Sequence, residues 1–457
     1  MERSSYSIRR LAGCAAALIM PTCLAMAGTA PPDTPTEQGR AVVEYWEKWT
    51  GAEADVMRSI VDDFNRSQDR IFVRMLTVSR IDQKMMMAVA GRVPPDLVGL
   101  WLTHLTSYVQ NNALLPLDTL AREAGIRGED YIPVYWEMCR REGFLWALPT
   151  TPTVTALHWN KKMFREAGLD PEQPPRTLEE LEYFNDRLTK RRPDGLLEQV
   201  GHLPQEPGWW MRDFNHWFGG PVWDGDKRLL LDGQPARAFF QWAASYPRRF
   251  GGEGMNNLRA AFGNFASPQN PFFTGKVAMV VQGVWMDNFI RQYAPPDFEY
   301  GVAPFPALAV QQGPPVSIAE CDLLVIPAGA KHPKEAMEFI VYTQTPAAME
   351  KLCLGQKKFT PLREVSPEFL HAHPHPYLPT FIALAKSPNA QAILSLPTLA
   401  EYSNDLTTYI SLVLLGRMDP DEAREALQAR QQKALDKKTA RWDRVREKRL
   451  AEWKTRL

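Results

Sequence analysis

Between residues 41 and 100 the apolar residues switch repeatedly between two periods, and this alternation narrows most what the chain can build. Residues 41–45 read as a strand. Ala54, Met57, Ile60, Val61 and Phe64 then recur at helical spacing, which predicts an amphipathic helix over 53–64 with an acidic first turn. Residues 71–78 read as a second strand, 81–90 as a helix ended by Gly91, and 96–100 as a short buried strand after Pro94-Pro95. Strands alternating with helices argue for a mostly parallel sheet. In such a sheet ligands bind outside the carboxyl ends of the strands. The first strand runs straight into Trp46, Trp49, Thr50 and Gly51. Two tryptophans and a glycine therefore stand where an open α/β sheet takes its ligand.

The same alternation resumes near Leu148. Residues 155–159 form a strand signal, 161–167 a helix stopped by Gly168, and Thr177 with Glu180 has the spacing of a capping box. A Trp-rich stretch occupies 208–223. Further strands are expected within 271–286, at 300–306 and at 323–327, and a helix opens at Pro333. From about Asp419 the chain is one long charged helix. A length of 457 residues exceeds one ordinary domain, at roughly 100–200 residues each, and suggests two or three.

The amino terminus reads as a targeting segment. MERSSYSIRR is positive, LAGCAAALIMPTCLAMA is apolar, and Ala25-Met26-Ala27 offers a cleavage site before Gly28. Residues 1–27 are thus expected to be a secretory signal peptide and 28–39 a Pro-rich flexible leader, with a periplasmic destination. Leu11-Ala12-Gly13-Cys14 spells a lipobox, but it follows Arg10 directly, with no apolar region before it. Cleavage leaves Cys139, Cys321 and Cys353, enough for at most one internal disulfide.

Composition removes some functions. A net charge of zero supplies no basic excess for nucleic acid. The sequence has no G-x-S-x-G elbow, no H-E-x-x-H and no phosphate loop. His371, His373 and His375 cluster, but among prolines that present metal ligands poorly. Glu142, Glu206 and Asp287 are scattered carboxylates that spacing alone does not pair. The carboxyl-terminal segment carries Leu435, Trp442, Val445 and Trp453 at near-heptad spacing, with acidic residues diluting its basic field. That stripe suits a packed terminal helix, with a partner-binding or membrane-surface helix as the other reading. No cofactor is expected.

Several stretches together resemble the family 1 extracellular solute-binding proteins, which include maltose-binding protein and serve ABC importers. They are W-x-x-W-T-G at 46–51, P-P-D-L at 94–97 before Trp101, LLPLD at 114–118, GFLWALPTTPTVTALHWNKKMFREAGLD at 143–170, PFFTGKVAMVVQGVW at 271–285, YGVAPFP at 300–306 and KHPKEAMEFI at 331–340. The resemblance spans about residues 41–430. It implies an α/β, two-lobed periplasmic-binding-protein fold (type II) with the ligand cleft between lobes joined by crossing hinge segments. Lobe one would hold 40–150 and 318–360, lobe two 151–317 and 361–430, followed by a charged helix at 431–457. The hinge would lie near 149–153, 317–320 and 359–362.

A sugar site needs stacking rings beside planar hydrogen-bonders. The resemblance points to Trp49, Thr50 and Glu53 in the first loop, and to Trp101, Thr103 and His104 after the third strand. Thr153 lies at the first crossing, Glu320 and Asp322 at the second, Trp285 and Tyr402 in lobe two. Trp209, Trp210 and Trp217 are further aromatic candidates, while Trp46 is expected to pack against its own lobe. Two places depart from the family pattern. His158-Trp159-Asn160-Lys161 replaces the usual Tyr-Asn-Lys, and Ile318-Ala319-Glu320-Cys321 replaces a glycine-rich turn. The implied activity is capture of a carbohydrate-type solute by a monomer and delivery to membrane permease subunits, without catalysis. The rivals are a secreted carbohydrate hydrolase using two cleft carboxylates and a periplasmic sensor subunit.

Overall fold

The structure, a computed structural model, describes residues 37–308 and 313–455. The expected signal peptide, most of the leader, and Cys14 and Cys23 lie outside the described residues. The strands along the chain are β1 (Ala41–Glu47), β2 (Ile71–Thr77), β3 (Leu97–Trp101), β4 (Arg140–Arg141), β5 (Phe144–Leu145), β6 (Leu148–Val154), β7 (Ala156–Asn160), β8 (Lys190–Arg191), β9 (Leu197–His202), β10 (Val277–Gln282), β11 (Tyr300–Ala303), β12 (Ser317–Val325) and β13 (Ala390–Ala392).

Two larger sheets result, one per lobe, beside the two-stranded β4–β5 hairpin. In the first, β1 lies between β2 and β3 and runs parallel to both. Chain order 1-2-3 against spatial order 2-1-3 puts a topological switch point between β1 and β3, so the loops after these strands flank a crevice. The helix Gly51–Ser67 follows β1 and buries Ala54, Met57, Ile60, Val61 and Phe64, the stripe expected from the sequence. The second sheet has the order β11-β7-β10-β9-β8, with β7 antiparallel to both neighbours. Beside it, Thr177 Oγ1 accepts the N–H of Glu180 at 3.2 Å and starts the helix Leu178–Leu188. Glu180 Oε2 accepts from Arg176 N rather than from Thr177, so the capping box closes one residue early.

Strand β12 is longer than the expected 323–327 and joins the lobes. Residues 322–325 pair with β3, residues 317–319 with β13, and the opposite edge pairs antiparallel with β6. After β6 only Thr155 separates the chain from β7 in the second sheet. Its N–H donates to the Ile318 carbonyl at 2.9 Å and its Oγ1 accepts from Ile318 N at 3.0 Å. The crossing expected to hold a turn-like Ile318–Cys321 is therefore a paired strand.

The carboxyl-terminal helix is Pro420–Lys454, opening where the long charged helix is expected, at an Asp419 cap that accepts the N–H groups of Asp421 and Glu422. Cys139, Cys321 and Cys353 are buried free thiols. Among the described residues no helix is long and apolar enough to cross a membrane.

Candidate binding cleft

The loop after β1 is set from beneath by Glu47, a buried carboxylate at the strand end. Its Oε1 accepts the N–H groups of Lys48 (2.7 Å) and Trp49 (3.1 Å), and its Oε2 accepts the Tyr45 hydroxyl. A Cβ at residue 99 would collide with this carboxylate, so Gly99 on β3 makes the room. Trp46 is half-buried and packs against the core of its lobe, while Thr50 is exposed at the helix start with its hydroxyl making no cap hydrogen bond.

From this loop a chain of alternating charges crosses the cleft floor. Lys48 Nζ lies 3.5 Å from Glu47 Oε1 and 3.1 Å from Asp322 Oδ1 on β12. Lys358 Nζ lies 3.6 Å from Asp322 Oδ2 and 3.0 Å from Glu53 Oε1. Thr151 Oγ1 donates to Asp322 Oδ2 at 2.9 Å. Burial works to raise the Asp322 pKa, but the two lysines outweigh it and hold the carboxyl below its ordinary range. Burial works against the charge on Lys48 too, and Asp322 and Glu47 overcome it. Both ammonium groups also sit over Trp49, Lys48 at 4.3 Å and Lys358 at 5.6 Å from a ring centroid. Trp49 is 6% exposed. It is a buried support for the two lysines rather than the solute-stacking ring expected of it.

Two residues back along β12 the pattern changes. Glu320 stands opposite Thr153 of β6, is half-buried, and its carboxylate makes no hydrogen bond or ion pair among the described residues. Burial pushes its pKa up to about 7 against the pull of Arg212. Arg212 itself pairs with buried Asp213 (Nε to Oδ2, 3.2 Å), whose Oδ1 accepts the Leu394 N–H at 2.8 Å. Burial raises Asp213 to about 6.

Aromatic groups flank this floor from both lobes. On lobe one Trp101, opposite Asp322 in the β3–β12 ladder, is 40% exposed and lies 5.7 Å from Lys48 Nζ. The His104 ring is 6.2 Å away, and burial lowers its pKa; Thr103 beside it is half-buried. At the end of β6 Thr153 Oγ1 accepts the Val284 N–H at 3.3 Å, next to half-buried Trp285 of lobe two. A Cβ on Gly283 would lie 2.5 Å from Thr153 Oγ1 and from the Trp285 ring, so only glycine lets strand end and ring meet here. Trp285 stacks on buried Trp210 with centroids 5.9 Å apart.

Other candidates are not free to meet a solute. Tyr402 is 1% exposed, so its ring is enclosed in lobe two and offers no face to a solute. Asp322 is committed to two lysines and Glu53 to one, which leaves neither as a free acceptor for hydroxyls. Trp217 is core, donating to the Val316 carbonyl at 3.2 Å, and exposed Trp209 packs edge-on against Phe265. His373 and His375 hold backbone: their Nε2 atoms lie 3.2 Å from the Lys358 carbonyl and 3.1 Å from the Val284 carbonyl, where the Nε2-protonated tautomers donate. Lys48, Lys358, Arg212 and Asp213 were missed by sequence reasoning. A separate concavity of about 640 Å³, beside Pro174, His216, Pro221 and Phe305, shares no residue with this cluster.

Comparison with known proteins agrees with the two-lobed architecture. Residues 82–350 match the family described as bacterial extracellular solute-binding protein. The sn-glycerol-3-phosphate-binding periplasmic protein UgpB of Pectobacterium atrosepticum is 24% identical over 323 residues, 68% of this chain and 68% of the relative. The solved structure of CpMnBP1 with mannotriose bound is 26% identical, with a TM-score of 0.72 over 85% of this chain and 99% of that one. UgpB from Mycobacterium tuberculosis in complex with glycerophosphocholine is 19% identical, with a TM-score of 0.72 over 87% and 99%, a likeness of fold.

Proposed function

The chain belongs to the bacterial extracellular solute-binding proteins, and on that premise we propose that it captures an uncharged carbohydrate-type solute between its lobes for delivery to the permease of an ABC importer. One observation carries the choice of solute: exposed Trp101 and half-buried Trp285 flank a floor on which every cation already has a carboxylate partner and Glu320 has none. Rings accept the apolar C–H faces of a sugar or polyol. Glu320, Thr103 and His104 supply hydrogen-bonding groups for hydroxyls, and Thr50 is a further donor at the rim.

The mechanism is binding coupled to lobe rotation. A solute touching Trp101 on one lobe and Trp285 on the other stabilises the closed state through contacts absent when the lobes are apart. The rotating bodies are taken as 40–150 with 318–360 and 151–317 with 361–430, about crossings near 149–153, 317–320 and 359–362. The protein works as an exported periplasmic monomer and returns its solute chemically unchanged.

A phosphorylated polyol is the second reading, favoured by the name of the UgpB relatives. Its phosphate would have to displace a carboxylate from Lys48, Lys358 or Arg212, and breaking such pairs in a buried site is costly. Thermal unfolding against sugars, polyols and phosphorylated polyols separates the two. A ligand at 100 times its Kd adds about 2.7 kcal/mol, a visible rise in Tm. A neutral hit recovered intact supports the proposal; a hit consumed during incubation points to a hydrolase.

A further inference from the structure

The helix Pro420–Lys454 grips both lobes. Its first half belongs to lobe two: Arg424 Nη1 donates to the Leu231 carbonyl (2.9 Å), Gln428 and Gln432 bond the backbone of Leu229 and Leu231, and Arg430 reaches Asp405 at 2.6 Å. Its far end belongs to lobe one. Trp442 Nε1 donates to Glu142 Oε1 at 3.1 Å, and Arg446 forks onto Glu142 Oε2 at 2.9 and 2.7 Å. Trp453 is 0% exposed, stands edge-on to Trp146 with centroids 4.6 Å apart, and donates from Nε1 to Asn112 Oδ1 at 2.8 Å. Between these ends Asp443 pairs with Lys227 of lobe two at 2.7 Å, one residue from the Trp442 contact. From Arg424 to Trp453 a straight helix spans roughly 44 Å.

The chain therefore has a connection between its lobes in addition to the crossing strands. Trp146 lies just ahead of β6, so the socket for Trp453 is fixed to the root of the first crossing. A rigid arm rooted in one body and seated in a socket on the other resists their relative rotation, because rotation must unseat the tip or bend the arm.

We propose that this helix is a clasp that holds the lobes at the angle seen here, and that closing over a solute requires Trp442 and Trp453 to leave their seats on lobe one. The inference rests on lobe rotation as the capture mechanism, but its test needs no solute, so a wrong solute class and an idle clasp give different results.

Spin labels on Met87→Cys of lobe one and Tyr183→Cys of lobe two report the inter-lobe distance; both sites are exposed, at 65% and 55%, while Cys139, Cys321 and Cys353 are buried. In the chain from Gly28, which lacks Cys14 and Cys23, the clasp predicts a narrow distance distribution. Trp453→Ala broadens it and shifts its mean. Glu142→Lys, which sets two cations face to face at the half-buried contact with Arg446 and removes the acceptor of Trp442 Nε1, does the same with the Trp453 seat intact. Adding Arg446→Glu restores the pair with reversed charge and narrows the distribution again. Circular dichroism of each variant confirms that the lobes stay folded. Distributions unchanged in both Trp453→Ala and Glu142→Lys would overturn the clasp, as would broadening by Glu142→Lys that the charge swap fails to reverse.

Discussion

Lys48 Nζ and Asp322 Oδ1 lie 3.1 Å apart, and the lysine belongs to the loop after β1 while the aspartate comes from β12, which crosses between lobes. The same aspartate holds Lys358. One carboxylate thus fixes two buried ammonium groups from distant parts of the chain, and the shape of the cleft floor depends on it. Asp322→Asn removes the counter-charge of both, and breaking a buried pair costs about 3–5 kcal/mol. Urea unfolding should show that loss, and Lys48→Met in the same background should recover part of it.

Glu320 is predicted to trade stability for binding. Its raised pKa means that the fold favours the neutral acid, so stability is full below the usual carboxylate range and falls as pH rises toward 7. Glu320→Gln should therefore add about 1–3 kcal/mol at pH 8 and little at pH 5. Solute affinity should fall in the same variant. Paired unfolding and binding measurements at the two pH values check both halves.

The tryptophans divide by exposure. Trp101→Ala should leave the urea midpoint nearly unchanged and weaken solute binding at least tenfold, because its exposed face has little to lose on truncation. Trp49→Ala should cost about 3–5 kcal/mol of stability through the cavity it opens beneath the lysines. Equal destabilisation by both substitutions would contradict this division.

Acid sensitivity follows from buried histidines. Burial pushes His158 and His202 down to about 3, and His216 and His375 to about 4. The unfolded chain protonates them near pH 6.5, so their contribution is full above that value and is lost as pH falls toward the folded values. Glu206, near 7, and Asp213, near 6, are raised by burial and oppose this, since their contribution grows as pH falls through the same interval. Four histidines outnumber these two carboxylates and Glu320, itself near 7, so stability still falls on acidification from pH 6 to 5, by about 1–2 kcal/mol. His375→Asn should remove about 1.4 kcal/mol per pH unit of that loss if the asparagine still holds the Val284 carbonyl.

Much of the fold was legible because it is written in local periods. The stripe Ala54–Met57–Ile60–Val61–Phe64, the glycine stops and the Thr177 cap each act over one or two helical turns. Strand β12 was truncated in the reading because Glu320 interrupts its apolar run, although the ladder with β6 holds it as strand. The rings of Trp101 and Trp285 were legible as strand-end aromatics. The ion pairs were not: Glu53 meets Lys358 only through the fold, and no spacing rule links residues so distant. Tyr402 illustrates the same limit, since helical periodicity does not say which face of Leu399–Leu414 is enclosed, and its ring is buried on the side of Arg212 and Asp213. In that terminal helix the seated residues are Trp442 and Trp453, eleven apart, whereas Val445 in the heptad reading is 38% exposed. Eleven residues make three turns of a nearly straight helix, which suits an arm better than a supercoiled seam.

The most direct test of the proposed function is calorimetric titration of the mature chain with the neutral sugar or polyol that raises its Tm, run beside sn-glycerol-3-phosphate and repeated with Trp101→Ala. Saturable binding of the neutral solute, its recovery unchanged, and at least a tenfold loss of affinity in the variant are the predicted results. Tighter binding of the phosphate compound, or affinity indifferent to Trp101, would contradict an uncharged solute held between the rings of the two lobes.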